Sequence, residues 1–163
     1  MLHTCLALLL SAAAAAAPGE NIAVGKPYTL KPAPDYKHCT DPGDATQLTD
    51  GEYVDGYFWA QPGTVGWRHG APVVIEVDLG EDQAIGGASF NTAAGAAGVA
   101  WPSAIHLLVA QEKGKYHAVG ELTGLSAASG TPPAGSYAVH RYITNTLRTH
   151  GRYVAFVVVG KPY

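Results

Sequence analysis

The chain has little of what usually declares a chemistry. Only two of its 163 residues are cysteines, Cys5 and Cys39, and only one is methionine. With an N-terminal leader set aside, Cys39 stands alone. No internal disulfide framework can then stabilise the fold. Cys39 is read as a buried thiol, or as the partner of a cysteine beyond Tyr163. Charged residues make up 14%, with 10 Lys and Arg against 13 Asp and Glu. The cations are scattered singly and the net charge is −3. A phosphate-tracking surface is excluded on that balance, so nucleic acid and anionic membranes are not expected partners. The apolar leader is too short to span a bilayer comfortably, and no membrane insertion is expected.

Catalytic motifs are also missing. There is no Gly-x-Ser-x-Gly elbow and no His-Glu-x-x-His. His38, His69, His106, His117, His140 and His150 form no i,i+4 pair and no Cys/His cluster of zinc spacing. Glu76 and Asp78 lie two apart on one face of an extended segment. A glycosidase needs its two carboxylates about 5–10 Å apart across a cleft. Neighbouring carboxylates on a strand more often face water, so Glu76 is read as solvent-facing and Asp78 as a turn cap. The domain is not expected to be an enzyme.

What is present is turn chemistry and short alternating runs. There are 20 glycines and 11 prolines, and 47% of residues are hydrophobic. That composition suits one turn-rich globular domain. Met1–Ala17 carries Leu6 to Leu10 and the alanine run Ala12 to Ala17, the apolar region and small-residue end of a secretory signal. A secreted or periplasmic location follows as an expectation.

In Val73–Gly80, Val73, Ile75, Val77 and Leu79 alternate with Val74, Glu76 and Asp78. Period two marks a strand with one face in the core and the other towards solvent. Asp78-Leu79-Gly80 is read as the turn that ends it. Asn21 to Leu30 reads as a first strand, Ala45 to Leu48 as one helical turn, and Tyr57-Phe58-Trp59 as an aromatic strand fragment with Trp59 in the core. Ile105 to Ala110 and Tyr116 to Val119 form a hairpin around Lys113-Gly114-Lys115. Thr123 to Ser136 reads as a polar loop. Tyr137 to Thr144 alternates, and Tyr153 to Val159 is nearly continuous apolar, as in a strand buried on both faces. His106, His117 and His140 are placed opposite the apolar faces of their strands. The class is all-β: a β-sandwich or jelly roll.

Trp67 and Trp101 differ from Trp59 because Gly66 and Pro102 place them in loops. An aromatic ring can stack on the apolar face of a pyranose, with a few polar groups fixing its hydroxyls. Trp67, Arg68 and His69 combine an aromatic, a guanidinium and an imidazole in one loop. With Trp101 they are the candidate ligand residues; the competing reading is that these tryptophans plug the ends of the sandwich. Asp50, in Thr49-Asp50-Gly51-Glu52, is a candidate calcium ligand or simply a turn residue.

Taken in order, these segments resemble the coagulation-factor 5/8 type C, or discoidin, domain. That galactose-binding-like jelly roll includes the family 32 carbohydrate-binding modules of secreted bacterial proteins. The matching pieces are Asn21 to Pro27, Leu48 to Gly51, Phe58-Trp59, Val74 to Gly80, Trp101 to Ile105 with the hairpin after it, and Gly151 to Val154. The resemblance implies a non-catalytic module over 21–163 that binds a glycan or polysaccharide. It implies a structural calcium near the Asp-Gly turn, with Asp50 as a side-chain ligand. It also implies a closing strand with an acidic segment, and the sequence stops before one at Tyr163. A sandwich lacking its last strand, or a longer parent such as a glycoside hydrolase, is the expectation. The alternative function is a structural or adhesion module packed on a neighbouring domain or protein.

Overall fold

The computed structural model describes residues 19–68 and 72–160. The leader Met1–Ala17, His69 and Lys161–Tyr163 lie outside the described residues. Among the described residues seven strands form two antiparallel sheets: β1 (Tyr28–Lys31), β2 (Val73–Ile85), β3 (Ala88–Ala94), β4 (Ala104–Ala110), β5 (His117–Glu121), β6 (Ala138–Thr144) and β7 (Thr149–Val159). The larger sheet has the order β1-β2-β7-β4-β5, and β3 pairs with β6 in a two-stranded sheet. This is the expected all-β sandwich.

The row Val73, Ile75, Val77 and Leu79 is buried, as its alternation requires. Val77 and Leu79 of this row meet Ile105, Leu107 and Val109 of β4 and Tyr142 of β6 in one core. Phe90 of β3 and Phe156 of β7 touch across the two layers, their ring centres 6.1 Å apart. Burying side chains of this size contributes about 2 kcal/mol each.

Four local readings are corrected. The first strand is only Tyr28–Lys31; Asn21 to Gly25 makes turns, and Pro32 ends the strand because it has no N–H to offer. The short helical turn lies at Pro42–Ala45, not Ala45 to Leu48, since Asp41 caps it by accepting from Gly43 N at 2.6 Å. Tyr57-Phe58-Trp59 is not a strand: Phe58–Ala60 is a turn of 3-10 helix. The stretch after Thr123 is partly helical, with α1 at Leu122–Leu125 and a 3-10 turn at Ser126–Ser129.

The expected turn at Asp78 to Gly80 forms inside β2 instead of ending it. Asp78 pairs with Tyr153 and Gln83 with Gly151, so β2 spends extra residues in a bulge. Asp78 Oδ1 accepts from Gly80 N at 2.8 Å, and Gly80 has φ +89°, which glycine tolerates.

His140 is also reversed. It shares the inward face of β6 with Tyr142, and the two rings meet edge to face at 4.7 Å. The outward face of the small sheet is covered by the segment at Tyr53 and Val54. Tyr53 OH lies 3.0 Å from Ser89 Oγ, Asn91 Nδ2 donates to Val54 O, and Arg141 stacks 3.4 Å over the Tyr53 ring.

Candidate functional site

Strand directions bring three loops to one end of the sandwich: the one before β2, the one between β3 and β4, and the one before β6. Trp67, Arg68 and Trp101 all lie there, each in its predicted loop.

Trp67 is held against the chain after β1, where Nε1 donates to Pro32 O at 2.9 Å. Arg68 is tied beside it: its N donates to Asp35 Oδ1 at 2.9 Å and its Nε to Asp35 Oδ2 at 3.1 Å. The Arg68 terminal nitrogens face no acceptor among the described residues. His69 lies outside the described residues. Trp101 makes the same kind of bond as Trp67, from Nε1 to Pro133 O at 3.0 Å. It rests edge-on against His140, 5.9 Å between ring centres. Each indole therefore has its one donor spent on a proline carbonyl. What the rings leave to solvent is apolar.

The two tryptophans do not make one platform. They flank β1 and β4, three strand positions apart in the large sheet. At the usual strand spacing that is about 14 Å.

A second aromatic group was missed in the sequence. Tyr57, Trp59 and Tyr137 form a trio with ring centres 4.9 to 5.2 Å apart. Tyr137 OH donates to Gly56 O and accepts from Phe58 N at 2.9 Å, which pins the loop. Trp59 is half-buried, not a core strand residue, while Tyr57 is 47% exposed. Gly56 on one side and Gln61-Pro62-Gly63 on the other are the signal that this aromatic run is a loop.

His140 lies beneath this end. Its Nε2 is buried without a partner, and burial pushes its pKa down, so the ring is held neutral against Trp101. A cavity of about 1330 Å³ runs between the layers and reaches Trp59 and Trp67 from below. Its walls are largely aliphatic, with Ile75, Val77, Val154 and Phe156 among them. Such walls offer a sugar few hydroxyl partners.

The strand carboxylates are fully engaged. Glu76 accepts from Tyr116 OH at 2.6 Å and pairs with Lys113 at 2.8 Å. Burial alone would raise its pKa, but those two donors hold it below the usual value. Asp78 takes both Nε and Nη2 of Arg152, at 2.7 and 2.8 Å. Chiefly through that guanidinium, its pKa falls to about 2 from an ordinary 3.8. A lowered folded pKa gives stability that is present above pH 4 and lost as pH falls through about 2. Asp78→Asn is expected to flatten this acid limb of the melting curve. Because the pair is partly exposed, the cost at neutral pH is only roughly 2–4 °C in Tm.

Asp50 acts as a turn cap. It is exposed, and its Oδ1 accepts from Glu52 N at 2.8 Å. The neighbouring Thr49 carbonyl already accepts from Gly25 N at 2.6 Å. Among the described residues no three His, Cys, Asp or Glu side chains converge on a point that could hold a metal.

No family model matches the chain, and no curated protein matches it. Solved structures with a similar fold include carbohydrate-binding modules. One is chitosan-binding module 1 of a chitosanase/glucanase from Paenibacillus sp. IK-5, 17% identical, covering 89% of this chain and 90% of that one with a TM-score of 0.48. Module 2 of the same enzyme, solved with chitotriose, is 15% identical over 88% and 90%, TM-score 0.48. CpGH89CBM32-5 of Clostridium perfringens, solved with GalNAc-β-1,3-galactose, is 17% identical over 81% and 82%, TM-score 0.45.

Proposed function

We propose that the chain is a non-catalytic glycan-binding module whose contact surface is the aromatic end of the sandwich. The observation that carries this reading is the Tyr57–Trp59–Tyr137 trio, in which a half-exposed ring is braced by two others and its loop is pinned by Tyr137. A rigid, exposed aromatic loses little entropy when a pyranose face settles on it. Arg68 supplies free donors for hydroxyls at the far side of the same end. The engaged state of Glu76 and Asp78 weighs against hydrolysis. The apolar leader supports secretion, and the module would bring a parent protein, such as a glycoside hydrolase, to its substrate.

Tryptophan fluorescence of the full-length chain, titrated with chito-oligosaccharides and galactose-type glycans, tests the reading. A saturable change is expected, weakened about tenfold or more by Tyr57→Ala or Trp101→Ala. Silence across the panel would overturn it. A second reading has one observation in its favour: Val99, 40% exposed, adds an aliphatic side chain to this end, which suits a protein neighbour better than a sugar. Under that reading the same variants leave every glycan titration unchanged and alter association with the adjoining domain.

A further inference from the structure

We propose that the cavity between the two layers binds a long-chain fatty acid, its chain lying along β7 and its carboxylate on Arg148. The inward face of β7 is the sign. On β4, beside it, Ile105, Leu107 and Val109 are 0, 1 and 1% exposed. Val154, Phe156 and Val158 point to the same side from the middle strand of the sheet, yet all three are only half-buried. They line the open space together with Ile75 and Val77 of β2. β3, which would have to cover them, pairs with β6 and has no strand on its other edge among the described residues.

At about 1330 Å³ the space is larger than most ligand pockets. Left empty, an apolar void of that size would cost more than the whole stability of a domain. Water is a poor filler, because apolar cavities offer it no hydrogen-bond partners and stay dry. Such walls favour an apolar molecule. The shape sets which one. The space follows the strands from Trp59 and Trp67 at one end to Ile85, Asn145 and Arg148 at the other. The 7 residues of β3 alone run for about 20 Å, room for an extended palmitate.

The charged residues on its walls are Glu20, Glu52, Arg68 and Arg148. Arg68 is held by Asp35. Arg148 has no carboxylate partner among the described residues. Its Nη1 donates to Leu147 O at 2.7 Å and to Asn145 O at 3.3 Å, which fixes the guanidinium at the turn between β6 and β7. Nε and Nη2 make no hydrogen bond among the described residues, and that side-on pair of donors matches a carboxylate. The head is thus placed at the end opposite the aromatic loops, and the chain points towards Trp59. The competing occupant is an extended polypeptide segment on the open edge of β3, which would have no need of Arg148.

Parinaric acid, a long-chain fatty acid that fluoresces in apolar surroundings, is titrated into the full-length chain below its micelle concentration. Saturation at a single molecule per chain is expected. Palmitate should displace the probe about tenfold better than hexadecanol, which has the same chain and no charge. Arg148→Gln is expected to weaken palmitate about tenfold and leave hexadecanol unchanged. Val154→Trp, which fills the space, is expected to abolish binding without lowering the melting temperature. A parent chain that leaves the probe dark overturns the proposal, and the space then belongs to a polypeptide segment or closes by collapse of the small sheet. Equal affinity for palmitate and hexadecanol overturns it too. So does full binding by a folded Val154→Trp chain, or uptake of many molecules per chain. No glycan enters these titrations and Arg148 lies away from the aromatic loops, so the inference stands or falls separately from the proposed function.

Discussion

Glu121→Ala is expected to destabilise the chain by about 3 kcal/mol, a fall in Tm of about 10 °C. The carboxylate serves two elements at once. Its Oε1 accepts from Ile105 N at 2.8 Å and Thr123 N at 2.9 Å, and its Oε2 from Gly124 N at 2.9 Å. Thr123 Oγ1 donates to both oxygens. β5 ends at Glu121, so the Ile105 N–H would have no strand partner, and the side chain takes the place of one. The same group caps α1. With alanine, Thr123 and Gly124 can turn to water, but Ile105 is wholly buried and its N–H cannot. Burial would raise the Glu121 pKa, yet the N–H bonds from Ile105, Gly124 and Thr123 outweigh it and hold it low. This contribution is therefore present above the ordinary glutamate value and fades as pH falls below it. Chemical denaturation at neutral pH measures the loss. A change under 1 kcal/mol would mean that solvent reaches the Ile105 amide after all.

Gly151→Ala is expected to cost about 2–3 kcal/mol for a different reason. Gly151 is buried in β7, and a Cβ there would stand 2.3 Å from Val109 Cγ1 and 2.9 Å from the Ala110 carbonyl oxygen. The first contact is with a side chain that can be shortened. The second is with backbone that cannot move without opening the β4–β7 pairing. In a double-mutant cycle, Val109→Ala should therefore recover part of the loss but not all of it, with a coupling of about 1 kcal/mol. Strictly additive costs would show that the strands simply part to admit the methyl group.

These two positions show what could be read before the structure. The alternation of Val73 to Leu79 identified β2 and its buried face, because a strand with one wet face writes its geometry into every second residue. β6 offered no such contrast: Val139 and Ile143 are apolar on one face, and Tyr142 is apolar on the other. Only the packing of Tyr53 and Val54 outside decides that His140 turns in. Tyr57-Phe58-Trp59 misled because aromatic residues favour strands, while the loop conformation here is imposed by Tyr137, some eighty residues away. Trp67 and Trp101 were legible as loop residues. Their separation was not, since it depends on strand order and not on spacing along the chain. The role of Glu121 was invisible for the same reason: it depends on which groups surround a carboxylate in space.

The order of the large sheet bears on how the chain is made. β7 is the last of the described strands in sequence and the middle one of its sheet in space, between β2 and β4. A ribosome delivers every neighbour before the strand that joins them. Until Val159 emerges, β1 with β2 and β4 with β5 can exist only as separate antiparallel pairs, their apolar rows without a common layer. The sheet then closes in one late event, through contacts such as Asp78 with Tyr153 that lie far apart along the chain. Such long-range closure is slow. The two halves of the large sheet thus have no common layer to bury their apolar rows against until the strand between them is made.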